Sequence, residues 1–198
     1  MKSANTVSSS DFMKVENISD IAYHFDRLVS LVSCPKLKKV CEELRKYEDF
    51  WNWPASCRHH HGFDGGLILH TLEVANIALH NSKIFKEGSD EVLIVAALWH
   101  DLAKIWEYAN EDGVWVKTDY HGKVHHISGS ACEFTAVATK YEVDRSIIQR
   151  IQHCIIAHHM IKDWGSPRLP ESIEAILLHQ ADMLSAMYPV HVEPVRTI

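Results

Sequence analysis

Fifteen histidines stand in this chain of 198 residues, and several occupy settings where water is scarce. In residues 95–105, VAALWHDLAKI, the pair His100-Asp101 interrupts an apolar run with helical spacing. Burying an imidazole and a carboxylate without partners is costly. A metal ion would take up both groups, and the rest of the chain should then supply further ligands. Candidates recur along it: His70 in GGLILHTLEVA, His125-His126 ahead of ISG, His158-His159 closing IIQRIQHCIIAHH, and Asp182 in LLHQADMLSA. Imidazole nitrogens mixed with a few carboxylate oxygens suit borderline divalent metals. Drawing such ligands from separate helices that point inward is an established way to build a metal site. Each residue alone has an ordinary reading. His70 fits a satisfied core histidine, Asp182 a local cap, and His158-His159 a helix C-terminus that favours positive charge. Their joint occurrence on successive segments favours one shared site.

The elements that must position these groups are mostly helical. Apolar residues at helical spacing mark 18–32. Pro35 opens a second helix reaching to about Tyr47. Tryptophan and proline crowd 49–54, which reads as a loop. Gly65-Gly66 precedes a long amphipathic helix carrying His70. The next helix, 91–106, contains His100-Asp101. Asp112-Gly113 between short aromatic and β-branched runs predicts a hairpin. Helical patterns resume over 126–140, 144–160 and 170–188, the last opened by Pro170 with Glu171 and Glu174. The expected fold class is all-α: a helical bundle with one small β-hairpin insertion. Residues 1–15, polar and serine-rich, are expected to be a flexible tail, and 16–198 a single domain.

Composition narrows the function classes. A hydrophobic content of 46% suits one domain with a sizeable core. No apolar run is long enough for a bilayer, and the opening stretch lacks a signal-type segment, so no membrane partner is expected. The five cysteines are scattered without a CxxC pair, which argues against a disulfide frame or zinc ribbon and for a cytoplasmic setting. A net charge of −6 argues against a dedicated nucleic-acid surface, which would be basic.

The order H…HD…H…HH…D resembles that of the HD superfamily of metal-dependent phosphohydrolases. The resemblance rests on GGLILHT, ALWHDLAK, HHISG, IIAHHMIKDWGSP and ILLHQADMLSA, and runs from about His60 to Met187. It is nearest to the HD domain of bacterial 3′–5′ exoribonucleases and to related small phage and bacterial HD proteins. Gly165-Ser166-Pro167 stands where HD-GYP phosphodiesterases carry GYP. Met160 follows His159 where those enzymes have glutamate, which argues against cyclic-dinucleotide cleavage. The exoribonucleases carry a nucleic-acid-binding module before the HD domain. Here the preceding residues are too few and too helical for a barrel of that kind.

Residue by residue, the resemblance implies a metal quartet of His70, His100, Asp101 and Asp182. It implies that His125, His158 and His159 complete a second metal position, with Asp101 bridging if two ions bind. His125 is preferred because it stands four residues before Gly129, with His126 as the alternative. The cofactor would be one or two divalent transition-metal ions: Fe, Mn, Co, Ni or Zn. The implied activity is phosphoester hydrolysis by metal-activated water, with Asp101 and Lys104 as the catalytic residues. Lys104, three residues after Asp101 and on the same helical side, is expected to contact a substrate phosphate. Arg58 and Arg168 are weaker phosphate candidates. His60 and His61 are expected to support the ligands or to move the leaving-group proton. Trp51, Trp53 and Trp106 either stack on a base or pack in the core, with Trp106 assigned to the core. The expected partner is a nucleotide or oligonucleotide, and charge favours a small nucleotide. A 3′–5′ exonuclease or phosphodiesterase on RNA or DNA ends is the alternative, and a non-catalytic metal-containing interaction module the second. Apolar helix faces leave room for a homodimer.

Overall fold

Apolar periodicity becomes helix along most of the chain. A computed structural model describes residues 18–57 and 60–187; the expected tail and Arg58 lie outside them. The order is α1 (Ile18–Leu31), α2 (Pro35–Glu43), α3 (Glu48–Asn52), α4 (Gly66–Phe85), α5 (Asp90–Trp99) and α6 (Lys104–Glu107). The antiparallel pair β1 (Tyr108–Glu111) and β2 (Val114–Lys117) follows. Then come α7 (Asp119–Lys123), α8 (His126–Lys140), α9 (Arg145–Ala157) and α10 (Ile173–Met187). The fold class is therefore all-α with one small hairpin. Among the described residues no helix is long and apolar enough to cross a membrane.

Helix α5 is the axis of the bundle. Every residue from Val92 to Trp99 is buried, as expected of a helix apolar on all sides. It packs on α4 and α9, while α10 lies along α4. The aromatic part of the core runs through Trp99, whose ring meets Phe134 at 6.0 Å and Tyr47 at 6.2 Å.

Four local features differ from the sequence expectation. Residues 49–54 are not a plain loop. They contain α3, because Phe50 is fully buried and Trp51 lies edge-on to Phe25 at 5.1 Å; Pro54 then follows the helix end. The helix expected over 91–106 breaks at His100, and 101–103 form turns. There the bonding shifts to three-residue closures, Leu102 N–H to Trp99 O and Lys104 N–H to Asp101 O, and the Ala103 N–H goes to Ser130 Oγ at 3.0 Å. Helix α7, after the hairpin, had no clear apolar period. The last helix begins at Ile173 rather than Pro170, since Ser172 Oγ accepts the Ala175 N–H at 3.2 Å and caps it.

Candidate metal centre

Two of the candidate histidines close helices. His100 is the C-cap of α5 and His158 that of α9. The last carbonyls of a helix have no partner within it, and here the rings supply one. His100 Nδ1 lies 2.7 Å from Ala97 O, and His158 Nδ1 lies 2.7 Å from Ile155 O. A carbonyl only accepts, so in each ring Nδ1 carries a proton, and in the neutral ring Nε2 keeps its lone pair. His179 Nδ1 donates to His158 O at 2.7 Å in turn and holds that helix end.

His70 and Asp182 come from the interiors of α4 and α10. His70 Nδ1 pairs with Ser185 Oγ at 2.9 Å. Ser185 Oγ donates onward to Glu73 Oε2 at 2.7 Å, so the ring must supply the proton and its Nε2 is again left unprotonated. Glu73 Oε2 also lies 3.0 Å from His61 Nε2. His126 opens α8, and its Nδ1 lies 3.0 Å from Glu107 Oε2. Four rings thus share one arrangement: Nδ1 tied back into the protein, Nε2 free.

All four free nitrogens point at the same carboxylates. His70 and His100 each place Nε2 3.4 Å from Asp101 Oδ2. The same two atoms lie 3.1 and 3.8 Å from Asp182 Oδ1. On the other side, Nε2 of His126 and of His158 lie 3.4 and 3.6 Å from Asp101 Oδ1. Asp101, fully buried, therefore faces one pair of rings with each oxygen. The Nε2 atoms of His70, His100, His126 and His158 and Asp101 Oδ1 are buried and lack a hydrogen bond, while Asp101 Oδ2 has the Lys104 ammonium beside it. Such orphaned polar atoms are rare inside proteins. Lone pairs converging on carboxylates fit a divalent cation and fit little else. In His70, His100, Asp101 and Asp182 the ligand atoms lie within 4.8 Å of one another, as they do in His126, His158 and His159.

Electrostatics carries the same demand for positive charge. Burial works against ionised Asp101, but Lys104 and His100 outweigh it and hold the carboxyl well below its usual range. Asp182 is likewise held down against burial by His100 and His70. Burial favours a neutral His100, yet Asp101 and Asp182 push it up to about 10, so without a cation Nε2 holds the proton that a bound metal would replace. Lys104 is buried with Nζ 2.5 Å from Asp101 Oδ2, so it is not a solvated lysine on the helix edge.

The remaining expected residues fall in three groups. His125 and His126 both stand at the cluster: Glu107 and Asp101 meet His126, and His125, at φ 67°, lies against the His126 ring at 4.2 Å and forms a further group with Glu107 and His126 whose ligand atoms lie within 4.8 Å of one another. His159 stays at the cluster, with Nδ1 2.5 Å from Trp164 O and its N–H on Ser166 Oγ at 3.0 Å. His60 and His61 stand beside His70, at ring distances of 5.0 and 5.4 Å. Arg168 is exposed on the segment before α10. Trp53 donates Nε1–H to Tyr108 O at 3.1 Å and lies edge-on to Trp115, while Trp106 packs on the core; neither is a free stacking surface. Sequence reasoning missed Glu107, Ser185 and Glu73. The spacing of Glu73 from His70 and of Ser185 from Asp182, one helical turn in each case, was the available signal.

Comparison with known proteins agrees with this geometry. The chain matches the HD domain across residues 67–187, a span holding every ligand candidate above. The chain belongs to the HD domain family. The 3′–5′ exoribonuclease YhaM of Listeria monocytogenes serotype 4b (strain CLIP80459) is 29% identical over 187 residues, covering 91% of this chain and 58% of the relative. YhaM of Bacillus subtilis (strain 168) is 30% identical over 157 residues, covering 77% and 49%. The chain thus spans between about half and three-fifths of the length of these relatives. No solved structure gives a significant match. The His/Asp cluster within the matched span is able to hold a metal.

Proposed function

We propose that this HD domain hydrolyses phosphodiester bonds at nucleic-acid ends, using two adjacent divalent metal positions that share Asp101. The observation carrying this reading is the division of Asp101, with Oδ2 facing His70 and His100 and Oδ1 facing His126 and His158. His70, His100 and Asp182 would complete the first position, and His126, His158 and His159 the second. When bound, such ions supply a nucleophile at neutral pH and neutralise phosphoryl charge.

The chain's own residues have separate tasks. The imidazole tautomers are fixed in advance by Ser185, Ala97 O, Ile155 O and Glu107, so the donor atoms need no reorganisation. The buried Lys104 keeps its proton, since Asp101 outweighs the burial that opposes it, and adds a permanent positive charge beside the reacting phosphate. Burial, then the neighbouring His70 and Lys104, push His60 down to about 3. Its ring is neutral near pH 7, which suits it to holding His61, with the Nδ1 atoms 3.1 Å apart, rather than to delivering the leaving-group proton.

The relatives named as exoribonucleases support a strand end as substrate. The net charge of −6 favours a second reading, a small nucleotide. One assay separates them. The full chain, loaded in turn with Mn²⁺, Co²⁺ and Fe²⁺, is given a 5′-labelled oligoribonucleotide, bis(p-nitrophenyl) phosphate and nucleoside triphosphates. Stepwise shortening of the oligonucleotide, absent in Asp101→Asn, is expected. Turnover of triphosphates alone would establish the second reading, and no cleavage of any phosphoester would refute both.

A further inference from the structure

Glu107 is fully buried and accepts two N–H groups of His126, with a ring nitrogen of His121 beside it. Its Oε1 accepts the backbone N–H of His126. Its Oε2 lies 3.0 Å from His126 Nδ1 and 3.1 Å from His121 Nδ1. The far nitrogen of His121, Nε2, is 2.9 Å from Lys117 Nζ. An ammonium only donates, so His121 Nε2 accepts and its proton sits on Nδ1, toward Glu107. Lys117 thus sets the His121 proton on the Glu107 side, where the ring and the carboxylate meet as an ion-pair contact, and His126 donates to Glu107 from its other side.

We propose that Glu107 is a positioning residue that keeps His126 in the tautomer and orientation able to bind metal, and that the β1–β2–α7 segment is what holds Glu107 there. The inference rests on the reading of two adjacent metal positions. Glu107 ends α6, directly before β1; Lys117 ends β2; His121 lies on α7. The insertion therefore sets His121, with Lys117 behind it, beside one carboxylate. Thr118 N–H closes it by donating to Glu107 O at 2.8 Å. His126, the ring that Glu107 meets, lies on the Asp101 Oδ1 side, and the rings on the Oδ2 side are oriented by other residues. Loss of Glu107 should consequently affect one position and spare the other. Carboxylate partners of metal-binding histidines typically change metal affinity by about 10–100-fold.

The test is calorimetric titration of the metal-free full chain with Mn²⁺, and with Co²⁺ followed by its visible spectrum. Wild type should take up two ions in distinguishable steps. Glu107→Ala should weaken the second step about 10–100-fold and leave the first unchanged. Glu107→Gln, which retains an oxygen acceptor, should recover part of the loss. His121→Ala, which leaves Glu107 in place, should weaken the second step by a smaller factor and serves where Glu107→Ala fails to fold. Wild-type affinity at both steps in Glu107→Ala and His121→Ala would overturn the proposal. Equal weakening of both steps with a lower Tm of the metal-free protein would show a merely structural role and overturn it too. A wild type that takes up a single ion would remove the two-position reading and this inference with it.

Discussion

At the scale of single residues, the tautomer decides what each histidine does. His100 and His158 use Nδ1 to close their own helices, and His70 uses it on Ser185. Removing that hydroxyl leaves the His70 ring with no fixed orientation. Ser185→Ala should therefore weaken metal binding about 10–100-fold with little change in the Tm of the metal-free protein, measured by competition with a chelator. Unchanged affinity would show that α4 packing alone orients the ring. The adjacent pair His125-His126 gives a second comparison: His126→Ala should lose one ion of the two, and His125→Ala neither, by elemental analysis. The ligand types were legible in the sequence because an aspartate beside histidine in an apolar run demands a counter-charge once it is buried. The choice between His125 and His126 was not legible. It turns on which ring Glu107 meets, a contact between residues 19 apart in sequence.

At the scale of elements, helix ends carry the site. The break at His100 lets His100 and Asp101 both face inward, which a continuous helix would not do for neighbouring residues. Apolar periodicity continues through 95–105 and conceals that break. The hairpin was legible from Asp112-Gly113, where Asp112 and Gly113 both take positive φ, 53° and 85°. Its part in orienting His126 was not, because that contact joins residues 19 apart. Gly66 shows how close the elements come: a Cβ there would lie 2.0 Å from His61 O. Away from the site, α2 is tied to the end of α8 through Glu43, which contacts Lys46, Tyr141 and Lys140. Hydrogen bonds from Lys46 and then Tyr141 hold Glu43 down at about 2 against a usual 4.5. A lowered carboxyl pKa stabilises the fold above the unfolded value and loses that contribution as pH falls through the folded one. Glu43→Gln should lower the urea midpoint at pH 7, and the difference from wild type should shrink between pH 4.5 and about 2. A difference independent of pH would assign Glu43 a packing role only.

At the scale of the whole molecule, an apolar bundle encloses a charged centre, and the two are separable. Phe134 is fully buried beside Trp99, and Phe134→Ala should cost about 3–5 kcal/mol by chemical denaturation, with metal stoichiometry unchanged at temperatures where the variant is folded. The net charge and the YhaM relatives pull in opposite directions on substrate. Salt dependence of oligonucleotide binding separates them, since phosphate contacts by lysine and arginine weaken steeply with added salt. The central claim is that Asp101 is shared between two metal positions, and elemental analysis of the purified full chain, with Asp101→Ala beside it, tests it most directly. Two equivalents of transition metal per wild-type chain, both lost in a variant that keeps its helical circular dichroism, is the predicted result. Undiminished metal in folded Asp101→Ala would contradict it.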